Sequence, residues 1–448
     1  MEDVHNTIKK LQTVDFRISE QFRKISRIQI QCKSLSPEIG SWFNETFITG
    51  SLGEGGLWAK CFELHNIVRI LEADYMTPIG QIEDTEEKLK PIDHSPGFFT
   101  LKTDDLLQCM NIEARNRYEE WQATQEEPSR DDDGQTLVLK FIIEKIFSKS
   151  KLKKMAMELV ADILFLPRQP SKVETTFTTN GPSAETVIKV TSAEEHLIEV
   201  HLDTVPCIEL CSWPSQCGYR QWLNRKRKWP HPQFVFDVQR LICIVAKAPP
   251  LSENEIERDN VWRLSFSKAE MLFTTTYTEN QREIYFLFKI MFYANIKKFE
   301  IAGKKMPSYF CKTTMFWVME EIGERFGEGN FEEAIQMLFN RMNQFLEDRN
   351  FPNFFYPLIN MLDGYPEDLI SICSDMIKKL SKRPIDYVPL TLDTECEFLH
   401  EIMQKMIDLN VEYYINAIND IVFKSDTDGQ DAFEIFLVLF LNKNTAEK

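Results

Sequence analysis

The chain has 448 residues, 43% of them hydrophobic, and a formal net charge of −17. That length suits one large two-lobed domain or two domains, and that charge disfavours nonspecific nucleic-acid binding by the surface as a whole. The apolar runs at 285–293 and 433–441 are too short or too interrupted by charge to span a bilayer, and the N-terminal MEDVHNTIKK lacks the apolar core of a signal peptide, so no membrane association is expected.

In chain order, residues 1–40 read as helical. Ile8, Leu11, Phe16, Ile18, Phe22, Ile25 and Ile28 form an apolar stripe, with Arg17, Arg23, Lys24 and Arg27 on or near the opposite surface. Gly50-Ser51 opens a turn that Gly53, Gly55 and Gly56 keep flexible. A strand is predicted over 67–76, then an acidic polar loop over 78–135. A helix over 135–165 carries the basic stretch KIFSKSKLKK, with Lys149, Lys151, Lys153 and Lys154. Residues 175–183 read as turn-rich, 186–190 and 197–205 as strands, 213–229 as a turn and short helix, and 261–267 as a strand. Beyond 268 the period becomes 3.6: Ile284, Leu287, Phe288, Met291 and Phe292 share a helix face, and helices are also predicted over 308–326, 331–348, 367–380 and 396–423. The expected architecture is a mixed α/β (α+β) unit at 1–260 with a twisted sheet, then an all-helical unit at 261–448. The strand 261–267 lies at the junction, and a central cleft is the usual place for a ligand.

Carboxylates carry the chemistry. In a strand, residues two apart share a face, so Glu72 and Asp74 project together while Leu71, Ala73 and Tyr75 take the other side. The same alternation in ILE-type spacing at 198–203 sends Glu199, His201 and Asp203 one way and Ile198, Val200 and Leu202 inward. If these strands are neighbours, Glu72, Asp74 and Asp203 converge and repel one another unless cations intervene. Two Mg²⁺ or Mn²⁺ ions would relieve that repulsion and bridge triphosphate oxygens. Gly50 permits close backbone approach to a phosphate, and Ser51 adds a hydroxyl. A bare Glu-x-Asp is more often a solvated strand face, and Gly-Ser an ordinary turn.

A second polar face lies at 261–267. Trp262, Leu264 and Phe266 go to the core and Arg263, Ser265 and Ser267 to the opposite side, where Arg can hold a phosphate or stack on a base, or simply be solvated. Lys289 interrupts an apolar helix and either reaches the cleft or snorkels to solvent. Ser308 suits a helix N-cap, and Tyr309 suits either a purine stack or the core. Cys207, Cys211, Cys217 and His231 match no zinc-knuckle spacing, so no structural zinc is expected and the cysteines read as small buried hydrophobes. The ten cysteines show no disulfide framework, which fits a cytoplasmic or nuclear protein.

The chain resembles the male-abnormal-21 domain family, which includes cyclic GMP-AMP synthase and the cyclic GMP-AMP synthase-like receptors. The likeness rests on TGSLGEG at 49–55, LEADYM at 71–76, HLDTVPCIE at 201–209, WLNRKRKWP at 222–230, VWRLSFSKAE at 261–270, PSYFCKTTMFW at 307–317 and FPNFFYPLINML at 351–362. The resemblance implies a nucleotidyltransferase fold with a helical second lobe. It implies synthesis of a cyclic dinucleotide from ATP and GTP on binding double-stranded nucleic acid, in innate immune sensing. By motif, Ser51 would contact triphosphate, Glu72, Asp74 and Asp203 would hold metals, Arg263, Ser265 and Ser267 would line the nucleotide, and Tyr309 would stack on a base; Gly50, Lys289 and Ser308 are expected beside them at the nucleotide. Arg17, Arg23, Lys24, Arg27 and the Lys149–Lys154 cluster would face nucleic acid, with a ligand-bridged homodimer possible. Two departures stand out: residues 57–70 lengthen the gap before Glu72, and no His or Cys lies between Ser267 and Ser308, where the synthase carries a zinc thumb. The second departure favours RNA over DNA as the activator. The first leaves room for a catalytically inactive scaffold of the same family.

Overall fold

The computed structural model describes residues 47–54, 67–110, isolated positions between 112 and 123, and residues 172–180, 183–191, 197–247, 249 and 261–388. The predicted helices at 1–40, 135–165 and 396–423 lie outside them, as do Arg17, Arg23, Lys24, Arg27, Lys149, Lys151, Lys153 and Lys154.

Among the described residues, nine strands form one mixed sheet: β1 (Phe47–Thr49), β2 (Ile67–Ile82), β3 (Lys90–Pro91), β4 (Phe98–Thr100), β5 (Lys172–Asn180), β6 (Ser183–Thr191), β7 (Leu197–Leu210), β8 (Cys243–Ala246) and β9 (Val261–Ser265). Their main order is β1-β2-β7-β8-β9-β4-β3, with the β5–β6 hairpin added through β6 to β7. The long strands β2 and β7 pair in parallel and the other neighbours are antiparallel. One edge of β7 takes β2 along its length. The other takes β6 along 197–204 and β8 along 207–209. A strand of this length can serve two partners on one edge because each needs only part of it.

Between and after the strands run α1 (Gly50–Glu54), α2 (Thr85–Lys88), α3 (Thr103–Cys109), α4 (Tyr219–Asn224), α5 (Pro232–Asp237), α6 (Ser267–Thr275), α7 (Glu279–Asn295), α8 (Tyr309–Ile322), α9 (Phe331–Glu347) and α10 (Glu367–Lys382). The predicted strands at 186–190 and 197–205 and the helices starting near 308, 331 and 367 stand in place. Four expectations need correction. The strand from Ile67 continues to Ile82, since a bulge between Pro78 and Gly80 absorbs the residues that read as punctuation. The supposed loop after 78 holds α2, β3, β4 and α3 as far as Cys109. The stretch at 175–183 that reads as turn-rich is strand as far as Asn180 and again at Ser183, and those two residues pair. The polar strand ends at Ser265, and Ser267 opens α6.

The main core lies between one face of the sheet and the helices. Tyr75, Ile208, Ile244, Trp262, Leu264 and Phe266 contribute from the sheet side, and Ile284, Phe288, Met291, Phe292, Phe310 and Met315 from the helices. The face predicted for α7 is buried, but so are Phe286, Ile290 and Tyr293, so α7 is enclosed on nearly all sides rather than half-buried. Its start is fixed by a capping box in which Thr278 and Gln281 satisfy each other's backbone N–H groups. A second, smaller cluster of Met76, Cys207, Cys243 and Val245 covers the opposite face of the sheet, with Phe47 and Val205 against it. Arg225 and Arg227, from the RKRK stretch at 225–228, share Glu320 and lie over the Trp222 ring. No described helix is long and apolar enough to cross a membrane.

Candidate nucleotide site

The parallel register of β2 and β7 aligns Asp74 with Asp203 and Glu72 with His201. The alternation of each strand then gives Asp74 and Asp203 the same face, the one bearing Met76 and Val205 rather than Tyr75. The row continues on both sides: Thr49 on β1 pairs with Asp74, and Glu185 on β6 pairs with Asp203. Glu185 is engaged by His201, whose Nδ1 lies 2.9 Å from its Oε1. The side chain of Glu72 lies outside those described, so β2 places its backbone one rung along from the pair and no more.

Chain direction brings the Gly-Ser turn to this row. β1 ends at Thr49, opposite Asp74, and α1 begins at once with Gly50 in the left-handed region at φ 63°. A Cβ on Gly50 would fall 1.7 Å from Asp74 Oδ2, so glycine lets the backbone lie directly against the carboxylate. The expectation of a loose glycine loop is corrected at Gly53. That residue sits in α1, where a Cβ would meet the Ile48 carbonyl oxygen at 2.8 Å and Met271 Sδ at 3.3 Å; it is glycine for close packing.

Ser51 and Lys289 meet. Lys289, only 8% exposed, donates from Nζ to Ser51 Oγ at 2.8 Å, so it neither snorkels to solvent nor lies idle in the core. Lys312 on α8 donates to Glu54 at the end of α1 (2.5 Å) and to Glu270 on α6 (2.7 Å). The other Glu270 oxygen accepts from the Tyr309 hydroxyl at 2.7 Å, and that hydroxyl oxygen accepts from Asn353 Nδ2 at 3.3 Å. Burial pushes the Glu54 carboxyl up, against the pull of Lys312. Burial alone would lower the Lys312 ammonium, but Glu270 and Glu54 outweigh it and hold it above the ordinary lysine range. Burial and then Glu270 raise the Tyr309 hydroxyl.

Arg263 sits on the site face of β9, aligned through β8 with Val245 and Cys207. Burial lowers its pKa, opposed by Tyr309 and Glu270. Its positive charge, and desolvation after it, hold the Lys247 ammonium down to about 8. Ser265 and Ser267 keep their hydroxyls 3.1 Å apart although one ends a strand and the other starts a helix. Ser308 occupies the position before α8 but makes no capping bond; its Oγ accepts from the Tyr293 hydroxyl at 3.2 Å. Cys207 and Cys217 are buried as expected, while Cys211 is exposed; His231 caps α5.

Thus Gly50, Ser51, Asp74, Asp203 and Lys289 come together, and Arg263, Tyr309, Glu270 and Lys312 form a second group linked to the first through Glu54. Sequence reading missed Glu54, Glu270, Lys312 and Lys247. The available signal was a charge inside an apolar helical run, as with Lys312 in YFCKTTMFW. Among the described side chains, no three His, Cys, Asp or Glu already form a metal cluster, and the third oxygen ligand expected, Glu72, lies outside them. The donors that are present fit a hard divalent cation: two aspartates in register on one face, with backbone drawn tightly against one of them.

Residues 72–273 match the family model for the Mab-21 protein nucleotidyltransferase domain, and residues 280–380 match that for the Mab-21 protein HhH/H2TH-like domain. The two matches follow the order of the structure, the first running from within β2 to within α6 and including both aspartates, the second from within α7 to Leu380 of α10. On these matches and this fold, the chain belongs to the Mab-21 family, a nucleotidyltransferase domain followed by a helical domain.

Proposed function

We propose that the protein is a metal-dependent nucleotidyltransferase that joins ATP and GTP into a cyclic GMP-AMP-like dinucleotide, serving innate immune sensing, with double-stranded RNA as the preferred activator. The observation that carries this reading is the in-register pairing of Asp74 with Asp203 beside a Gly-Ser turn whose serine is held by a buried lysine. Phosphoryl-transfer catalysis is mostly positioning plus stabilisation of negative charge on oxygen. Lys289 and Ser51 supply a cation and a hydroxyl for the triphosphate. Asp74 and Asp203, with Glu72, would hold Mg²⁺ or Mn²⁺; such ions, when bound, neutralise phosphate oxygens and activate the attacking hydroxyl. Arg263, Ser265 and Ser267 offer donors along the nucleotide, and Tyr309 offers a ring to a base.

The test is incubation of the full chain with ATP, GTP and Mn²⁺ across a panel of double-stranded RNA and DNA. A cyclic dinucleotide is expected with RNA. No product with any activator would remove the enzyme, and full activity in a Glu72→Ala, Asp74→Ala variant would remove this site. The lengthened stretch before Glu72 favours a second reading, a non-catalytic scaffold of the same family. That reading predicts no metal-dependent binding of a non-hydrolysable ATP analogue, which calorimetry measures directly.

A further inference from the structure

A five-residue helical turn cannot hold itself, because helix nucleation costs more than one turn of hydrogen bonds returns. The turn Gly50–Glu54 nevertheless has to keep Gly50 against the Asp74 carboxylate. It is tethered at both ends by lysines from two different helices: Lys289 of α7 on Ser51 at its start, and Lys312 of α8 on Glu54 at its end. The second tether is the one between charges, and it is as buried as the first. Lys312 is 8% and Glu270 4% exposed, and the Glu54 side chain is 6% exposed. The ammonium is shared between two carboxylates, one of which is itself oriented by the Tyr309 hydroxyl. Deleting the ammonium would leave two carboxylates buried and uncompensated, whereas deleting Glu54 frees the turn and leaves Lys312 on Glu270. For the turn, the loss of either partner is the same loss.

We infer that Glu54 and Lys312 are positioning residues, an internal ion pair through which the helical domain sets the Gly-Ser turn against Asp74. Neither residue need touch substrate for this. A triphosphate that drew Lys289 away from Ser51 would leave the far end of the turn still fastened at Glu54. Glu270 and Tyr309 connect the same ammonium to the second group of site residues, so the triphosphate end and the base end share one anchor. Only the consequence for nucleotide binding rests on the function proposed above; the anchoring itself does not.

Hydrogen exchange on the ligand-free full chain tests the anchoring. Glu54→Gln preserves shape and removes the charge, Lys312→Met removes the cation, and the double variant closes a thermodynamic cycle. Peptides covering 47–54 are expected to exchange about tenfold faster in each single variant, with little further change in the double, the scale expected for directly coupled groups. Peptides in α9 (Phe331–Glu347) should be unchanged. Unchanged exchange at 47–54, additive effects of the two substitutions, or an equal rise in α9 would each overturn the inference. Should Lys312→Met fail to fold, Glu54→Gln alone carries the same comparison. In a second arm, affinity for Mg²⁺ and a non-hydrolysable ATP analogue should fall about tenfold in either single variant and no further in the double. If exchange behaves as expected but the unmodified protein binds no triphosphate, the nucleotidyltransferase reading fails and the anchor stands.

Discussion

Lys247 follows β8 two residues beyond Val245, the register partner of Arg263, and the two like charges act on one another. The Arg263 guanidinium, with desolvation behind it, holds the Lys247 ammonium down to about 8. A lysine depressed in the folded state sheds its proton earlier than in the unfolded chain. This group's contribution to stability therefore rises with pH between about 8 and the ordinary lysine value, and is unfavourable below that window. On the function proposed above, a bound polyphosphate would favour the protonated form. Binding of a triphosphate with Mg²⁺ at pH 8 is thus expected to take up a fraction of a proton. The uptake is read as a dependence of the calorimetric heat on the ionisation enthalpy of the buffer. A heat independent of buffer would remove Lys247 from the site. None of this was legible in ICIVAKAPP, because the pairing of β8 with β9 that sets Val245 opposite Arg263 is a property of the sheet. Alternation did place Arg263 and Ser265 opposite Trp262 and Leu264, since period two is a local property of any strand.

At the scale of elements, α1 shows what a short turn demands of its first residue. Gly50→Ala adds a Cβ that meets the Asp74 carboxylate and strains a positive φ, and is expected to destabilise the protein by about 1–3 kcal/mol. Thermal unfolding measures the change. Gly329→Ala is the control: a Cβ there meets nothing within 4 Å, so its midpoint should stay within error of the unmodified chain. The helices of the second domain were readable because α9 and α10 are long and strongly amphipathic, with Ile335, Leu338, Phe339 and Met342 on one face and Leu369, Ile370, Cys373 and Ile377 on the other helix's. The small elements between 78 and 110 were not. Pro78, Gly80 and clustered acids look like a loop locally, and only pairing with β7 and β9 makes strands of them. Gly53 was misread for a related reason: a glycine's sequence neighbours do not reveal the Ile48 carbonyl packed against it.

For the molecule as a whole, the charge of −17 and the proposed RNA activator pull in opposite directions. Binding must then depend on a few clustered cations, and Arg17, Arg23, Lys24, Arg27, Lys149, Lys151, Lys153 and Lys154 are the candidates. If most of them meet phosphates, affinity for double-stranded RNA should fall by about a thousandfold between 50 and 200 mM salt, as measured by fluorescence anisotropy. A flat response would discard that surface, and charge reversal there should abolish activation while sparing triphosphate binding. The order of the two domains was legible from the shift of period near residue 268, whereas the way α7 and α8 reach back to grip α1 was not, because those contacts join segments far apart in the chain.

The separation of Asp74 from Asp203 along the polypeptide has a consequence for synthesis. A nascent chain still on the ribosome presents the first aspartate long before β7 exists to supply the second, and the two lysines that steady the turn emerge later still. Premature termination anywhere before α8 would yield a product lacking at least one of these four groups. On the function proposed above, such a truncated copy would bind no metal-triphosphate in the way the whole chain would.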